Sequence, residues 1–338
     1  MAIQEALRKV VDGNSLSLDE TRAAFEEIMS GGATEAQIAG LLVALRMKGE
    51  SIDEITGAAQ VMREKATPVM PARAGHVIDT CGTGGDRSGT FNVSTATAFV
   101  AAGAGAVVAK HGNRSVSSKC GSADVLEALG VNIGITPEAM KACLDEIGIC
   151  FLFAPSLHKA MKYAIGPRKE LALRTVFNVL GPLTNPSMTK RQLLGVFARD
   201  LTAPLAGALA NMGSEKAYVV HGLDGLDEVS ISGETQISEL AGGAVKTYTV
   251  DPDAFGIPRA SVEAIAGGTK ERNAGIIQKV LSGRKDAYRD TVVLNAAFAI
   301  AASGICEQPE DGIALARDSI DSGAAKEKLA RLAEKTRR

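Results

Sequence analysis

The stretch that decides the fold class is residues 79–95, DTCGTGGDRSGTFNVST, which follow a short apolar segment and lead into a run of small residues. Gly82, Gly84 and Gly85 allow successive backbone N–H groups to point at one anion. The polar residues at the end of the stretch stand where a helix begins, and free N–H groups there favour negative charge. The spacing matches neither a GxxxxGKS/T phosphate loop nor a GxGxxG fingerprint. It predicts an anion-binding turn between strand and helix, with a turn of no function as the alternative.

A second polar loop, residues 110–124 with the sequence KHGNRSVSSKCGSAD, also follows a predicted strand and precedes a predicted helix. Loops that follow parallel strands meet at the carboxyl edge of the sheet, where ligands bind. Lys110, Arg114 and Lys119 add positive charge among hydroxyl and N–H groups, which suits a ligand with several phosphates. The alternatives are a solvated surface charge for Lys119 and an ordinary helix cap for Ser122.

Two further segments carry candidate binding residues. Residues 223–229, LDGLDEV, place Asp227 and Glu228 beside a glycine turn after a predicted strand. Magnesium takes one or two protein carboxylates together with phosphate oxygens and water, so the pair predicts a metal–diphosphate site unless it is merely solvated. Arg168 follows a Gly-Pro pair, and its planar donor suits a substrate carboxylate. An ion pair with Glu170 is the alternative, and spacing alone favours it.

The whole chain predicts two domains. Residues 1 to about 66 show helical patterns only, including the S-x-x-E capping signature at Ser51. Pro68 and Pro71 break the pattern, and a linker through Ala74 completes a helical domain of residues 1–74. Across residues 75–338, helices alternate with apolar strands, which predicts an α/β domain with a central, mainly parallel sheet flanked by helices. The helical segment 156–185 breaks this alternation and is expected to pack onto the N-terminal helices. The predicted strands are residues 77–78, 106–109, 149–153, 193–197, 217–220 and 245–248.

Composition narrows the class of protein. The 338 residues are 46% hydrophobic and 22% charged, which is typical of a globular protein. A formal net charge of −2 and only 4% aromatic residues weigh against a nucleic-acid partner. Five cysteines without a CxxC spacing favour a reducing compartment. With no signal peptide and no apolar run of membrane-spanning length, the sequence predicts a cytoplasmic protein without a membrane partner.

No catalytic acid or base stands out. A Ser-His-Asp arrangement and a nucleophile elbow are both missing from the sequence. His111 is a candidate proton carrier or a residue that orients its loop. We expect a reaction whose difficulty lies in stabilising charge, with Lys110 and His111 contributing electrostatically.

Taken in order, the motifs CGTGGD, TFNVST, KHGNRSVSSKCGSADVLEALG, GPRKELALRTVFNVLGPLTNP and DGLDE resemble the anthranilate phosphoribosyltransferases. The resemblance covers nearly the whole chain and implies a small helical domain before a larger α/β domain. It implies transfer of a phosphoribosyl group from 5-phosphoribosyl 1-diphosphate (PRPP) to anthranilate, in the second step from chorismate to tryptophan. It also implies Mg²⁺, with two ions expected, and a homodimer formed through the N-terminal helices.

The resemblance implies a role for each matching residue. The anthranilate contacts would be Gly82, Asn113 and Arg168, and the metal ligands Ser94, Asp227 and Glu228. Cys120 stands where serine is more frequent, and Arg87 and Ser88 add polarity after Asp86, but neither departure removes a proposed ligand. The implied PRPP contacts are Gly82, Gly85, Asp86, Thr90, Asn92, Val93, Ser94, Thr95, Lys110, His111, Gly112, Asn113, Arg114, Ser115, Val116, Ser117, Ser118 and Ser122.

Two alternatives stay open at this point. A pyrimidine nucleoside phosphorylase-like enzyme would have a similar fold, but it usually needs a longer chain and lacks the Asp-Glu pair. A non-catalytic relative that binds nucleic acid would be expected to lose the glycine loop or the acids and to carry a basic groove. Neither alternative would consume anthranilate.

Overall fold

The computed structural model describes residues 1–72, 77–86, 88–115 and 119–337. Its strands are β1 Val77–Gly82, β2 Val107–Gly112, β3 Ile149–Phe153, β4 Arg191–Gly195, β5 Lys216–Gly222, β6 Thr235–Ala241 and β7 Ala244–Val250. Its α-helices are α1 Ala2–Val11, α2 Leu18–Met29, α3 Glu35–Lys48, α4 Ile52–Glu64, α5 Val93–Gly103, α6 Ser122–Ala128, α7 Pro137–Glu146, α8 Ala154–Leu157, α9 Lys162–Leu171, α10 Phe177–Leu180, α11 Thr202–Asn211, α12 Lys270–Leu281, α13 Ala287–Ser303, α14 Pro309–Asp321 and α15 Ala324–Arg337.

The described strands form one sheet in the order β3-β2-β1-β4-β5-β6-β7. The first five strands in this order are parallel, whereas β6 and β7 are antiparallel at one edge. From β1 the chain moves outward through β2 and β3, and it then returns to the other side of β1 to add β4. The border between β1 and β4 is therefore the switch point of the topology, where α/β sheets bind their ligands beyond the carboxyl ends of the strands.

Helices cover both faces of the sheet, as the sequence predicts. On one face, α5 and α13 pack over residues such as Val108 and Tyr218, which are fully buried. On the other face, Leu194 and Val219 share a core with the N-terminal helices and α11. The predicted fold class is confirmed: a small helical domain and a larger α/β domain around a mainly parallel sheet.

Local signals in the sequence explain several element boundaries. Ser51 and Glu54 form the predicted capping box at the start of α4, and Thr136 caps α7, which begins with a proline. The strand β6 is missing from the predicted strands, although Gly242 and Gly243, both with positive φ, form the tight turn that joins it to β7.

The segment that breaks the strand–helix alternation lies beside the N-terminal helices. The helix α9 contacts α2 and α3, and α10 contacts α4. The ring of Phe177 lies 5.9 Å from that of Phe25 between centroids. This packing places the GPRKE motif at the border between the helical domain and the sheet. No described helix has the length and apolar character needed to cross a membrane.

Candidate functional site

The switch point at β1 and β4 leaves room for a third loop, which carries the two acids. Gly195 ends β4, and a Cβ atom there would stand 1.6 Å from the backbone oxygen of Asp227. A Cβ atom on Gly82, at the end of β1, would stand 2.9 Å from Oδ2 of Asp227. Glycine is therefore required at Gly195, since backbone atoms cannot approach a side chain so closely.

The acid loop and the glycine loop are joined by direct hydrogen bonds. Gly84 donates its N–H to Oδ2 of Asp227 at 2.9 Å, and Ser94 donates its N–H to Oε1 of Glu228 at 3.2 Å. The loops after β1 and β5 thus form one site, although more than 130 residues separate them in the chain. The predicted anion-binding turn and the predicted metal-binding acids are brought together.

The acid site suits a cation, because its buried carboxylates repel one another when they are ionised. Burial and the neighbouring carboxylate of Asp86 raise the pKa of Asp227 to about 7. Burial and the charge of Asp227 raise the pKa of Glu228 well above its usual value, while Lys110 acts in the opposite direction. Among the described residues, no three His, Cys, Asp or Glu side chains form a closed metal cage. Two carboxylates fit Mg²⁺, because this ion keeps water and phosphate oxygens as its other ligands.

Lys110 lies buried between the first two loops, with only 3% of its surface exposed. Its ammonium group donates to the carbonyl oxygen of Thr80 and to Oγ of Ser94, the latter at 3.2 Å. Burial lowers the pKa of Lys110, whereas the charges of Asp79 and Glu228 raise it. Lys110 therefore brings positive charge to the floor of the site, beside the start of α5.

The sequence prediction gave no role to two residues that hold the ends of β1 and β2 together. Asp79 is fully buried and accepts hydrogen bonds from His111 N–H at 3.1 Å and from Nδ2 of Asn185 at 2.8 Å. Nδ2 of Asn185 also donates to the carbonyl oxygen of Ala109 at 2.8 Å. Burial raises the pKa of Asp79 to about 6. The only sequence signals were the position of Asp79 at the strand end and of Asn185 within GPLTNP.

A third overlooked residue holds the acid loop. Asn295 of α13 is fully buried. Its Oδ1 accepts from Val229 N–H at 2.9 Å, and its Nδ2 donates to the carbonyl oxygen of Val229 at 2.9 Å. The carboxamide thus pairs with the backbone directly after Glu228 as a neighbouring strand would. A polar residue inside an otherwise apolar helix, residues 287–303, was the available signal.

His111 is a neutral residue in this site. Its Nδ1 lies 3.1 Å from the carbonyl oxygen of Gly181, and its Nε2 lies 3.1 Å from Nε2 of His158. Because a carbonyl only accepts, Nδ1 of His111 carries the proton, and its Nε2 faces Nε2 of His158, whose ring also bonds to the backbone of Thr184. Burial lowers the pKa of His111 to about 3 and that of His158 to about 4. This revises the expectation that His111 contributes positive charge at the end of β2.

The second loop differs from the prediction in its charge. The guanidinium group of Arg114 forms ion pairs with two acids of α6, Asp124 at 2.8 Å and Glu127 at 2.7 Å. Its charge is therefore largely balanced. Oγ of Ser122 donates to the carbonyl oxygen of Asn113 at 3.2 Å, which closes the loop onto the helix. The predicted contacts Val116, Ser117 and Ser118 lie outside the described residues, as does Arg87.

Arg168 carries a side chain whose charge no described residue balances. Its guanidinium group lies 5.0 Å from the ring centroid of Phe177, and burial lowers its pKa. It has no ion pair or side-chain hydrogen bond within the residues that the structure describes, so the alternative pair with Glu170 is not formed. Arg174, by contrast, donates to the carbonyl oxygen of Gly85 and packs on an aromatic ring. Arg174 thus holds the glycine loop, whereas the N–H donors of the Arg168 side chain have no hydrogen-bond partner among the described residues.

The remaining predicted contacts lie along the first loop and the start of α5. Thr90 forms an isolated antiparallel bridge with Ala266. The hydroxyl group of Thr95 is buried and has no hydrogen-bond partner among the described residues. Burying a hydroxyl group without a hydrogen-bond partner costs free energy, so its presence here is consistent with a ligand-binding group.

Known proteins resemble this chain over nearly its whole length. Residues 4–66 match the family described as "Glycosyl transferase family, helical bundle domain", and residues 74–326 match "Glycosyl transferase family, a/b domain". The protein of Moorella thermoacetica named anthranilate phosphoribosyltransferase is 55% identical over 327 residues, which cover 97% of this chain and 96% of that protein.

Solved structures give the same result. The crystal structure of anthranilate phosphoribosyltransferase from Thermus thermophilus is 41% identical, with a TM-score of 0.93, and covers 98% of this chain and 99% of that one. The enzyme of the same name from Saccharomyces cerevisiae, solved in complex with PRPP and Mg, is 29% identical. Its TM-score is 0.90, with 99% of this chain and 98% of that one covered.

Proposed function

The chain belongs to the anthranilate phosphoribosyltransferase family, and we propose on that premise that it transfers a phosphoribosyl group from PRPP to the amine of anthranilate. The products are N-(5-phosphoribosyl)anthranilate and diphosphate, in the second step from chorismate to tryptophan. The observation that carries this proposal is the meeting of the glycine loop with two carboxylates, through Gly84 N–H and Asp227 and through Ser94 N–H and Glu228.

PRPP is proposed to bind between the first two loops. The glycine backbone, the dipole at the start of α5 and the buried ammonium group of Lys110 together favour a diphosphate. The unpartnered hydroxyl group of Thr95 supports a ligand at this place. The proposed contacts are Gly82, Gly85, Asp86, Thr90, Asn92, Val93, Ser94, Thr95, Lys110, His111, Gly112, Asn113, Arg114, Ser115, Val116, Ser117, Ser118 and Ser122.

Mg²⁺ is proposed to bind through Ser94, Asp227 and Glu228, with two ions per site. The fit is supported by oxygen donors only and by buried carboxylates whose pKa values are raised in the absence of a cation. Bound Mg²⁺ supplies positive charge that stabilises the departing diphosphate. The protein's own part is to fix the two carboxylates against the backbone of the glycine loop.

Anthranilate is proposed to lie between Gly82, Asn113 and Arg168. Arg168 would bind the carboxylate of the substrate, because its guanidinium group is partly buried and carries no protein anion. The buried neutral pair of His111 and His158 lies next to the end of β2, and it adds no charge that would repel the amine. The amine would then face C1 of the ribose.

The reaction breaks the bond between C1 and the diphosphate oxygen and forms a bond between C1 and the anthranilate nitrogen. Positive charge grows on the sugar and negative charge on the diphosphate. Backbone N–H groups and Lys110 stabilise the leaving group, and one such donor contributes about 3–4 kcal/mol. Fixing the amine beside C1 contributes up to about 7–11 kcal/mol. The nitrogen loses its proton to solvent or diphosphate after the bond forms, so no strong base is needed.

The test is the loss of anthranilate fluorescence on mixing protein, PRPP and Mg²⁺. We expect a loss that requires all components and that releases one diphosphate per anthranilate consumed. Well-folded protein that leaves the fluorescence unchanged would overturn the proposal. Phosphorolysis of uridine, measured in parallel, tests the nucleoside phosphorylase alternative, and we expect none.

Assembly and location are also proposals. We expect a homodimer through the N-terminal helices, whose surface exposes Val11 on α1 and Met47 on α3, at 67% and 83% of their maximum. Light scattering behind a sizing column measures this directly. A cytoplasmic location is supported by the cysteines, all of which are free thiols.

A further inference from the structure

Asn273, in the first turn of α12, connects a distant part of the chain to both phosphate loops. It is buried, with 2% of its surface exposed. Its Nδ2 donates to Oδ1 of Asn92 at 2.9 Å, and its Oδ1 accepts from Gly268 N–H at 2.8 Å. Asn92 in turn donates from Nδ2 to the carbonyl oxygen of Cys120 at 3.1 Å. The first loop is thereby tied to the second loop on one side and to α12 on the other.

The orientation of this chain of hydrogen bonds has only one solution. The carbonyl oxygen of Cys120 accepts and the N–H of Gly268 donates, so both ends are fixed by the backbone. Asn92 must therefore turn its Nδ2 to Cys120 and its Oδ1 to Asn273. Asn273 must supply the donor between them, and a carboxylate of the same shape cannot.

Backbone contacts hold the same two regions together. Gly267 donates its N–H to the carbonyl oxygen of Gly89 at 2.9 Å, and Phe91 donates its N–H to that of Ile265 at 3.2 Å. A Cβ atom on Gly267 would stand 2.6 Å from the carbonyl oxygen of Thr90. Residues 265–268 therefore run closely beside the first loop and bring Asn273 to a fixed place.

The position of Asn92 makes this contact important for ligand binding. Asn92 is the residue directly before α5, where an asparagine side chain normally accepts an N–H of the first helical turn. Its side chain makes no such cap here and bonds to Asn273 and Cys120 instead. Through these bonds Asn92 ties the start of α5, where Ser94 N–H meets Glu228, to the second loop and to α12.

We propose that Asn273 is a positioning residue for PRPP. It fixes the side chain of Asn92 between α12 and Cys120, and with it the spacing of the two loops between which the diphosphate is proposed to bind. The proposal rests on the proposed function, since PRPP is its ligand. Without the donor at position 273, Oδ1 of Asn92 loses this partner and the first loop loses its side-chain bond to α12.

The experiment measures PRPP binding by titration calorimetry with Mg²⁺, together with steady-state KM values for both substrates. We expect Asn273→Asp and Asn273→Ala to raise the Kd and KM of PRPP about tenfold, with the KM of anthranilate changed less than about twofold. The control Asn132→Ala removes an amide oxygen that accepts Gly134 N–H within its own turn, and it is expected to leave all three constants unchanged.

A double variant distinguishes a positioning role from a general loss of structure. If Asn273 acts through Asn92, combining Asn92→Ala with Asn273→Ala weakens PRPP binding by less than the sum of the two single losses, because both changes remove the same hydrogen bond. Additive losses, or equal rises in both KM values, would overturn the proposal, as would wild-type PRPP affinity in Asn273→Asp. If wild-type protein binds PRPP but does not consume anthranilate, the proposed function fails while the role of Asn273 is still tested.

Discussion

Replacing Gly195 with alanine removes the space in which the backbone of Asp227 lies. The added Cβ atom would stand 1.6 Å from the carbonyl oxygen of Asp227 and 2.6 Å from its carbonyl carbon. Non-bonded heavy atoms rest at about 3.5 Å, so the acid loop must move by roughly 2 Å. The hydrogen bonds from Gly84 and Ser94 are already 2.9 and 3.2 Å long, and they do not survive such a shift.

The expected loss of kcat/KM follows from this displacement of the acid loop. A misplacement of about 1 Å can lower a catalysed rate about 100-fold. We therefore expect kcat/KM of Gly195→Ala to fall at least about 100-fold, or about 2.7 kcal/mol of transition-state stabilisation. The concentration of Mg²⁺ needed for half-maximal activity is expected to rise as well, since both proposed carboxylate ligands move.

Anthranilate fluorescence, followed over a range of Mg²⁺ concentrations, measures both effects, and urea unfolding checks the fold. The control is Gly275→Ala in α12, where the added Cβ atom meets nothing within 4 Å beyond its chain neighbours and the surrounding helix backbone. It is expected to keep full activity. Wild-type kcat/KM and Mg²⁺ dependence in Gly195→Ala would refute the reasoning, because they would show that the acid loop tolerates displacement.

The other predictions concern the acids, the arginine and the histidine pair. Asp227→Asn combined with Glu228→Gln is expected to reduce turnover severely while the circular dichroism spectrum is unchanged; wild-type rates would remove both from the site. Arg168→Ala is expected to raise the KM of anthranilate more than that of PRPP, and equal rises would contradict its role. Unfolded histidine takes up a proton near pH 6.5 and folded His158 near pH 4. The unfolded state therefore binds more protons between these values, so the free energy of unfolding falls as pH is lowered from about 6.5 to about 4. Urea titrations should show a weaker pH dependence in His158→Gln, and an unchanged one would count against a neutral buried ring.

Sequence patterns predicted the parts of the site that depend on local order. The glycine loop, the lysine after β2 and the adjacent acids each follow a strand, and parallel strands bring such loops to one edge. The cap at Thr136 was predicted for the same reason, since its partners lie within one helical turn. The strand β6 was not predicted because its apolar and polar residues alternate only weakly.

Local sequence patterns could not identify the residues that support the site. Asp79, Asn185, Asn273 and Asn295 bond to atoms between 32 and 181 positions away. In addition, the sequence alone does not distinguish a buried asparagine from one on the surface. The charge of the second loop was overestimated for a related reason, because the partners of Arg114 on α6 face it only after the loop has folded back.

The hydrogen bond from Asn273 to Asn92 joins residues that lie 181 positions apart in the chain. A ribosome adds about 5–20 residues each second, so the glycine loop waits about 10–35 s during synthesis for this partner. The acids and Asn295 also emerge long after it. A nascent or prematurely terminated chain that ends before α12 therefore holds the glycine loop without the groups that arrange it. We expect such fragments to neither sequester PRPP nor expend it, so that activity begins only when the last third of the chain has been made.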